Sequence, residues 1–217
     1  MINWDATVDG RDLSAYSPWV MTFNEPDLQG GNGETHPTYA AYLWHEIEGY
    51  YPDKYLVSPA ILRKHTPNCY WGMTCRWLND FRNEYIRLYG HAPRIDAMGG
   101  HCYATTAPDL NLMTACAEMV EYLEAQAAAW GVTGGLWINE LGPCPNPNQA
   151  EMDRQLFETR LYFERTPSIV RYAVWTLRLS DWPSMNALEC DGVELTSYGQ
   201  VYATEIHTAL MPVVIIQ

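Results

Sequence analysis

Short β-rich apolar runs alternate in strict order with longer stretches of helical spacing along most of the chain. The predicted strands are residues 18–24, 55–61, 94–100, 135–140 and 169–177. The predicted helices are residues 37–49, 75–89, 110–130, 149–165 and 197–210. Such alternation favours parallel strands joined by crossover helices. The sequence therefore predicts an α/β fold, organised as one domain over residues 1–217.

Proline and glycine mark several helix boundaries. Pro37 follows His36 and suits the first position of a helix, because the N–H that proline lacks would have no intrahelical partner there. Gly131 and Gly134 follow the long predicted helix 110–130 and are interpreted as stop signals.

The chain is strongly acidic. Thirteen basic residues against 26 acidic ones give a net charge of −13, which repels phosphate backbones and argues against nucleic acid as a partner. The sequence has neither a basic cluster nor an apolar run of membrane-spanning length, so no membrane partner is expected. Residues 1–20 lack the charged-then-apolar pattern of a secretory signal, and the compartment is left open.

Two glutamates end predicted strands in matching contexts. Glu25, in "TFNEPDL", comes where the first strand ends, and Pro26 stops that strand because it has no N–H for the ladder. Glu140, in "LWINELGPCP", ends the fourth strand, and the two glutamates follow Asn24 and Asn139. Because chemistry in parallel α/β folds collects at the carboxyl ends of the strands, we expect the two carboxylates to converge at one rim.

Convergent carboxylates have a defined use in glycoside hydrolysis. One carboxylic acid, with a raised pKa, protonates the departing oxygen, and the other attacks the anomeric carbon or activates water. A single strand-end glutamate would more simply be a helix cap or a surface charge. The matching pair, in a chain with nine Trp and 15 Tyr that suit a sugar-stacking groove, favours catalysis.

The positions of the six cysteines in the sequence do not determine which of them form disulfides. Two pairs in predicted loops can form disulfides, Cys69 with Cys75 and Cys144 with Cys190. Cys102 and Cys116 lie in or near regular elements and are predicted to be buried thiols. Cysteine and histidine do not cluster at the spacing of zinc ligands, so no metal is expected.

The residues around both glutamates resemble the clan A retaining glycoside hydrolases, which are eight-stranded (β/α) barrels. The stretches "FNEPDL", "HCY" after "RIDAMGG", "LWINELG" and "VRYAVWT" look most similar to the compact endo-β-1,3-glucanases of glycoside hydrolase family 128, over about residues 18–205. The resemblance implies a retaining hydrolase of β-glucosidic bonds, in β-1,3-glucan or an oligosaccharide. Such an enzyme needs no metal or organic cofactor.

The resemblance also implies site residues, position by position. In the clan an Asn-Glu-Pro motif at the end of the fourth strand carries the general acid/base, and Glu25 would have this role. A second glutamate at the end of the seventh strand is the nucleophile, and Glu140 would correspond to it. Retention requires the two carboxyl groups to be about 5 Å apart. Asn24 would bind the sugar hydroxyl beside the anomeric carbon. His101 and Tyr103 would lie beside Glu140, where a tyrosine donor keeps a carboxylate ionised.

Five further side chains, four tryptophans and one arginine, are candidates for either the site or the structure. The resemblance implies that Trp175 is a stacking platform at the eighth strand. Trp71, Trp77 and Trp182 can be either sugar platforms or core residues. Arg171, in the strand at 169–177, needs a carboxylate partner if it is buried, and it can serve structure alone.

The chain departs from the family at its amino end. If the Asn-Glu-Pro strand is the fourth, the predicted strands are equivalent to strands four to eight, and only 17 residues precede them. The expected fold is therefore TIM-barrel-like but incomplete or contracted, since a full barrel has about 250 residues. Three explanations stay open: a truncated gene, a barrel closed by fewer strands, or a homo-oligomer in which two chains cover exposed strand edges.

Other functions remain alternatives. Clan A enzymes share both glutamates across many substrates, so a β-glucosidase or a β-1,4-glucanase is the nearest alternative. A catalytically weak sugar-binding remnant and a structural protein with all its aromatics in the core are the other two. The sequence leaves linkage preference, endo or exo action, disulfide connectivity and oligomeric state open.

Overall fold

The computed structural model of the chain describes residues 17–27, 35–62, 76–104, 111–142, 148–174 and 196–203. Strands and helices alternate in these residues as the sequence predicts. The strands are β1 (Trp19–Met21), β2 (Tyr55–Val57), β3 (Met98–Tyr103), β4 (Leu136–Gly142) and β5 (Ile169–Val174). The helices are α1 (Pro37–Tyr50), α2 (Trp77–Tyr89), α3 (Leu112–Trp130), α4 (Gln149–Glu164) and α5 (Ser197–Ala203).

Strand pairing follows the order of the chain. β1 and β2 pair in parallel over their whole length. Two isolated parallel bridges, Val57 with Ala97 and Ile61 with Gly100, pair residues in and after β2 with residues before and in β3. The other sheet has the order β3-β4-β5, and β4 pairs with β5 in parallel. The predicted α/β fold with parallel strands is confirmed, and the five described strand–helix units are compatible with an incomplete (β/α) barrel.

The chain divides into two compact units. Unit 1 is Met1–Gly100 with Tyr122–Gly135, and unit 2 is His101–Glu121 with Leu136–Gln217. The three boundaries fall inside β3, inside α3 and directly before β4. The organisation of residues 1–217 as a single domain stays a prediction. None of the described helices is long and apolar enough to span a bilayer.

Aromatic side chains fill the core of unit 1. The fully buried Trp44 of α1 packs against Phe23, with ring centroids 6.3 Å apart, and edge-on against Phe81 of α2, at 5.4 Å. Trp77 stacks on Phe81 at 5.6 Å and donates its indole N–H to the carbonyl of Thr35 at 2.8 Å. Trp77 is therefore a core residue and not a sugar platform.

The carboxylate of Glu48 links α1, α2 and the segment before β3 by hydrogen bonds. Oε1 of Glu48, on α1, accepts the indole N–H of Trp44 at 3.1 Å and the backbone N–H of Arg94 at 2.6 Å. Oε2 accepts the hydroxyl of Tyr85, a buried residue of α2. One side chain thus satisfies donors from both helices and from the segment that enters β3.

The boundary residues behave mostly as predicted. His36 caps α1, and Pro37 is its first residue. Gly131 follows α3 with a φ of 73°, the left-handed conformation that glycine adopts at helix ends. Gly134 has a different role, because a Cβ there would lie 2.1 Å from the backbone oxygen of Asp96. Only glycine allows this approach.

Several predicted boundaries differ from the structure, and the predicted fifth strand extends beyond the described residues at 175–177. The third strand was predicted at 94–100 but is Met98–Tyr103, so the segment "HCY" belongs to the strand itself. The two glycines in "MGGHCY" weaken the local signal for a strand, and burial between neighbouring strands overrides it. The predicted extension of the last helix to residue 210 lies outside the described residues.

In unit 2, β4 is buried at all seven positions, as expected for a central parallel strand. Arg171 of β5 places its guanidinium over the ring of Trp137, 5.1 Å from the centroid. Arg171 is half-buried, so it does not meet the condition under which a carboxylate partner was expected. The indole face attracts its charge through the ring quadrupole. Asn148 is the N-cap of α4, and its side chain accepts the N–H of Glu151.

A disulfide joins β3 to α3 in unit 2. Cys102 and Cys116 are bonded, with Cα atoms 5.0 Å apart. The prediction of two buried thiols is wrong in this respect, although both residues are buried. Cys102 and Cys116 lie close together because α3 packs back on β3, the strand that precedes it. The spacing of the two cysteines in the sequence does not reveal this packing. The other four cysteines, Cys69, Cys75, Cys144 and Cys190, lie outside the described residues.

Candidate active site

Glu25 lies just beyond β1 in a strained turn. Its φ of 44° is in the left-handed region, and it is the one non-glycine residue with a positive φ in the described part of the chain. This conformation costs about 1–3 kcal/mol and persists only where the surroundings fix it. The N–H of Glu25 donates to the carbonyl of Ala60 at 2.8 Å, and the N–H of Ala60 donates to the carbonyl of Phe23 at 2.8 Å. The parallel ladder thus holds the backbone on the amino side of the half-buried glutamate.

Asn24, the residue before Glu25, forms a parallel bridge with Ala60 and is 3% exposed. Its side-chain oxygen has no hydrogen-bond partner among the described residues. An unsatisfied buried amide oxygen costs free energy unless a ligand or water supplies a donor. Asn24 therefore offers an acceptor suited to a hydroxyl group.

Glu140, at the carboxyl end of β4, is 5% exposed and has two neighbours on β3. The hydroxyl of Tyr103 donates to Oε2 of Glu140 at 2.6 Å. Nδ1 of the fully buried His101 lies 3.5 Å from the same oxygen. His101 and Tyr103 are two residues apart on one strand, so their side chains face the same side of the sheet.

This cluster in unit 2 unites three of the predicted site residues, Glu140, His101 and Tyr103. Its chemistry is that of a buried carboxylate held by a short hydrogen bond from a phenol, which favours the ionised form. Asn24 and Glu25 belong to unit 1. The predicted convergence of Glu25 with Glu140 stays a prediction. Trp175, the remaining predicted site residue, lies outside the described residues, as do Trp71 and Trp182.

Two polar residues next to the glutamates were not predicted to have a role in the site. Oδ1 of Asp27 accepts the backbone N–H of Leu62 at 2.9 Å, in the segment that follows β2. The signal in the sequence is an acid that directly follows a Glu-Pro pair. Asn139 is 5% exposed, and its side-chain oxygen has no hydrogen-bond partner among the described residues. Asn139 directly precedes Glu140, in a stretch of β4 where the pairing with β5 is irregular.

Comparison with protein-family models identifies a match over nearly the whole chain. The model described as "Glycosyl hydrolase catalytic core" matches residues 2–202. No match was found among the curated proteins.

Several solved structures share the fold. An endo-β-1,3-glucanase of glycoside hydrolase family 128, subgroup II, from Sorangium cellulosum is 25% identical, with a TM-score of 0.69 over 88% of this chain and 71% of that one. A subgroup III curdlan-specific exo-β-1,3-glucanase from Blastomyces gilchristii, in complex with glucose, is 19% identical, with a TM-score of 0.69 over 94% of this chain and 88% of that one.

A third similar structure contains an oligosaccharide. It is a mutant subgroup I endo-β-1,3-glucanase from Amycolatopsis mediterranei in complex with laminarihexaose, 20% identical, with a TM-score of 0.65 over 91% of this chain and 76% of that one. The family match over residues 2–202 and the shared α/β fold agree with the strand-end glutamates. The chain belongs to the glycosyl hydrolase catalytic core family and is a glycoside hydrolase.

Proposed function

We propose that the chain hydrolyses β-glucosidic bonds of β-1,3-glucan, or of oligosaccharides derived from it, with retention of stereochemistry. The observation that carries the proposal is the 2.6 Å hydrogen bond from Tyr103 to the buried Glu140. A nucleophilic carboxylate must be ionised before it attacks, and a phenol donor favours that form. Burial strengthens this interaction because few water dipoles compete with it.

In the proposed first step, Glu140 is the nucleophile. Its carboxylate attacks the anomeric carbon, and the bond between that carbon and the glycosidic oxygen breaks. Protonated Glu25 gives its proton to the departing oxygen, so the leaving sugar departs as an alcohol. The products are a glycosyl ester on Glu140 and an ionised Glu25.

The second step returns the enzyme to its starting state. Ionised Glu25 takes a proton from a water molecule, and the oxygen of that water attacks the anomeric carbon. The ester bond to Glu140 breaks, and the sugar leaves with its original configuration. Both glutamates regain their first protonation states, and the cycle consumes one water for each bond.

The remaining site residues have supporting roles in this proposal. The acceptor oxygen of Asn24 would bind the sugar hydroxyl beside the anomeric carbon, a hydrogen bond that strengthens as positive charge develops on the ring. His101 and Tyr103 would hold Glu140 in its attacking position. Trp175 would stack on a sugar ring from the eighth strand.

The choice of substrate follows from the relatives and from charge. The similar enzymes from Sorangium and Blastomyces are β-1,3-glucanases, and the Amycolatopsis enzyme was solved with laminarihexaose. The net charge of −13 disfavours anionic polysaccharides and is compatible with a neutral glucan. Endo and exo enzymes both occur among these relatives, so the proposal covers either action.

The test compares Glu140→Ala, Glu25→Gln and wild type on a glycan panel that contains laminarin, laminarihexaose, cellohexaose and an aryl β-glucoside. Glu158→Gln, on the surface of α4, is the matched control. We expect Glu140→Ala to lose all turnover and Glu158→Gln to retain it. Proton NMR of the first product formed should show the β-anomer. An unchanged rate for Glu140→Ala, or an α-anomer as the first product, would contradict the proposal.

The same panel separates the alternatives. Faster cleavage of cellohexaose than of laminarihexaose would indicate a β-1,4-glucanase, and cleavage of the aryl glucoside alone would indicate a β-glucosidase. Calorimetry with laminarihexaose addresses the remaining alternative, since binding without turnover by wild type would indicate a sugar-binding remnant.

A further inference from the structure

Asp27 takes the place of a backbone acceptor where the ladder beside Glu25 ends. The parallel ladder runs from Phe23 through Ala60 to Glu25 with alternating hydrogen bonds of 2.8 Å. In a regular parallel ladder the next donor, the N–H of Leu62, would pair with the carbonyl of Glu25. It donates instead to Oδ1 of Asp27 at 2.9 Å. The side chain of Asp27 therefore continues the ladder past the left-handed turn.

The turn needs this support because the sequence itself opposes it. Glu25 precedes Pro26, and a residue before proline prefers the extended or polyproline region over other conformations. Its φ of 44° is instead left-handed, which is unfavourable for a residue with a Cβ. Both preferences act in the same direction, toward an extended backbone at Glu25.

Three hydrogen bonds resist that relaxation. On the amino side, Glu25 N–H is held by the carbonyl of Ala60. In the middle, the carbonyl of Pro26 accepts the N–H of Thr35 at 3.0 Å. On the carboxyl side, Asp27 is held by Leu62, and this is the one of the three that a side chain provides. A substitution at position 27 can therefore remove it without altering the backbone chemistry of the turn.

We infer that Asp27 is a positioning residue for Glu25, holding the turn that aims the acid/base carboxylate. This inference rests on the proposed function, in which Glu25 protonates the leaving group. Asp27 acts through the backbone and has no direct part in bond breaking. When its bond to Leu62 is lost, the turn relaxes, the Cα–Cβ direction of Glu25 rotates with φ, and its carboxyl group leaves the line of the glycosidic oxygen.

The test uses Asp27→Ala, which removes the acceptor, and Asp27→Asn, which keeps a side-chain oxygen at the same place. The matched control is Asp96→Ala. Asp96 accepts the N–H of Leu56 in β2 through its carboxylate at 2.7 Å, so it makes the same kind of bond from an aspartate side chain to a backbone N–H, away from Glu25 in the sequence. Each variant is assayed below its melting temperature on laminarihexaose and on a 2,4-dinitrophenyl β-glucoside. The first substrate needs its leaving group protonated, whereas dinitrophenolate departs without a proton.

We expect kcat on laminarihexaose to fall by on the order of 100-fold in Asp27→Ala, with a much smaller change in KM, because misplacement by about 1 Å has an effect of this size. Azide should restore turnover of the aryl glucoside by this variant, since azide attacks the glycosyl-enzyme without a general base. Asp27→Asn and Asp96→Ala should stay close to wild type. Equal losses in Asp27→Ala and Asp96→Ala, or no rescue by azide, would overturn the inference.

A structural readout keeps the inference testable if the proposed function is wrong. If wild type cleaves no substrate of the panel, the hydrolase mechanism fails, and crystal structures of the same variants decide the role of Asp27. The φ of Glu25 should leave the left-handed region in Asp27→Ala and keep it in Asp96→Ala. An unchanged φ in Asp27→Ala would show that Asp27 does not hold the turn.

Discussion

The hydroxyl of Tyr103 donates a hydrogen bond of 2.6 Å to Oε2 of Glu140, across two neighbouring strands of unit 2. A donor of this kind stabilises the ionised carboxylate and fixes its rotamer. We expect Tyr103→Phe to lower kcat/KM on laminarihexaose by on the order of 10–100-fold, which corresponds to loss of one charge-assisted hydrogen bond. The acid limb of the pH profile of kcat/KM should move to higher pH, because ionised Glu140 loses a donor.

Tyr172→Phe is the control for this measurement. Tyr172 donates to Oε1 of Glu164 at 2.7 Å in the same unit, so both variants lose a tyrosine–glutamate bond of nearly equal length. The control should keep the wild-type profile. A shift of the same size in both variants would mean that Tyr103 acts on general stability and not on Glu140.

The disulfide between Cys102 and Cys116 should support both stability and activity. It closes a loop with a sequence separation of 14 residues, for which about 3 kcal/mol of unfolding free energy is typical. Cys102 also stands between His101 and Tyr103, so release of α3 from β3 loosens both neighbours of Glu140. The midpoint temperature of thermal unfolding and kcat should both fall when the protein is treated with dithiothreitol.

Cys116→Ala separates this effect from reduction elsewhere in the chain. The variant should have the same unfolding temperature and the same kcat as reduced wild type. Dithiothreitol should change neither of these values by much in the variant. If reduction affects the variant as strongly as wild type, the effect comes from another pair of cysteines.

Glu48 should matter for folding and not for catalysis. Glu48→Ala leaves the buried indole N–H of Trp44 without its acceptor, at a cost of about 1–3 kcal/mol. It also removes one of the two hydrogen bonds of the Tyr85 hydroxyl, which keeps its contact with Nδ1 of His45 at 3.3 Å. Glu48→Gln keeps one oxygen acceptor and should be less destabilising. Urea unfolding followed by tryptophan fluorescence measures both effects. A lower kcat in Glu48→Ala well below its melting temperature would contradict the assignment of this network to structure alone.

Alkaline pH should weaken unit 2 through Tyr172. Burial, together with the hydrogen bond to Glu164, raises the pKa of Tyr172 from 10.0 to about 12. Because the folded-state pKa is the higher one, the neutral form is favoured by folding, so its contribution is complete below pH 10 and is lost as the pH rises through 12. Tyr172→Phe should show a smaller loss of unfolding free energy between these two pH values. Equal slopes for wild type and variant would contradict this prediction.

The sequence predicts the order and type of the elements because that information is local. Hydrophobic period and breakers such as Pro37 and Gly131 act within a few residues, and they mark the ends of α1 and α3 correctly. The resemblance to known glycoside hydrolases implied that His101 and Tyr103 lie beside Glu140, and the structure brings these three residues together at neighbouring parallel strands.

Features that depend on packing between distant segments were not predictable. The bond between Cys102 and Cys116 requires the angle at which α3 returns over β3. The left-handed backbone of Glu25 contradicts its local preference before proline and is fixed by Ala60 and Leu62, more than 30 residues away. The contact of Arg171 with an indole face depends on strand pairing, which places Trp137 across from it.

Because a disulfide lies beside Glu140, the choice of expression host affects the protein that is assayed. In a reducing bacterial cytosol, glutathione and thioredoxin keep thiols from pairing, whereas export to the periplasm allows the bond between β3 and α3 to form. Batches from the two compartments will then differ in covalent structure next to Glu140 while having the same amino-acid sequence. A screen that finds no glucan cleavage in a cytosolic lysate has assayed the dithiol protein alone.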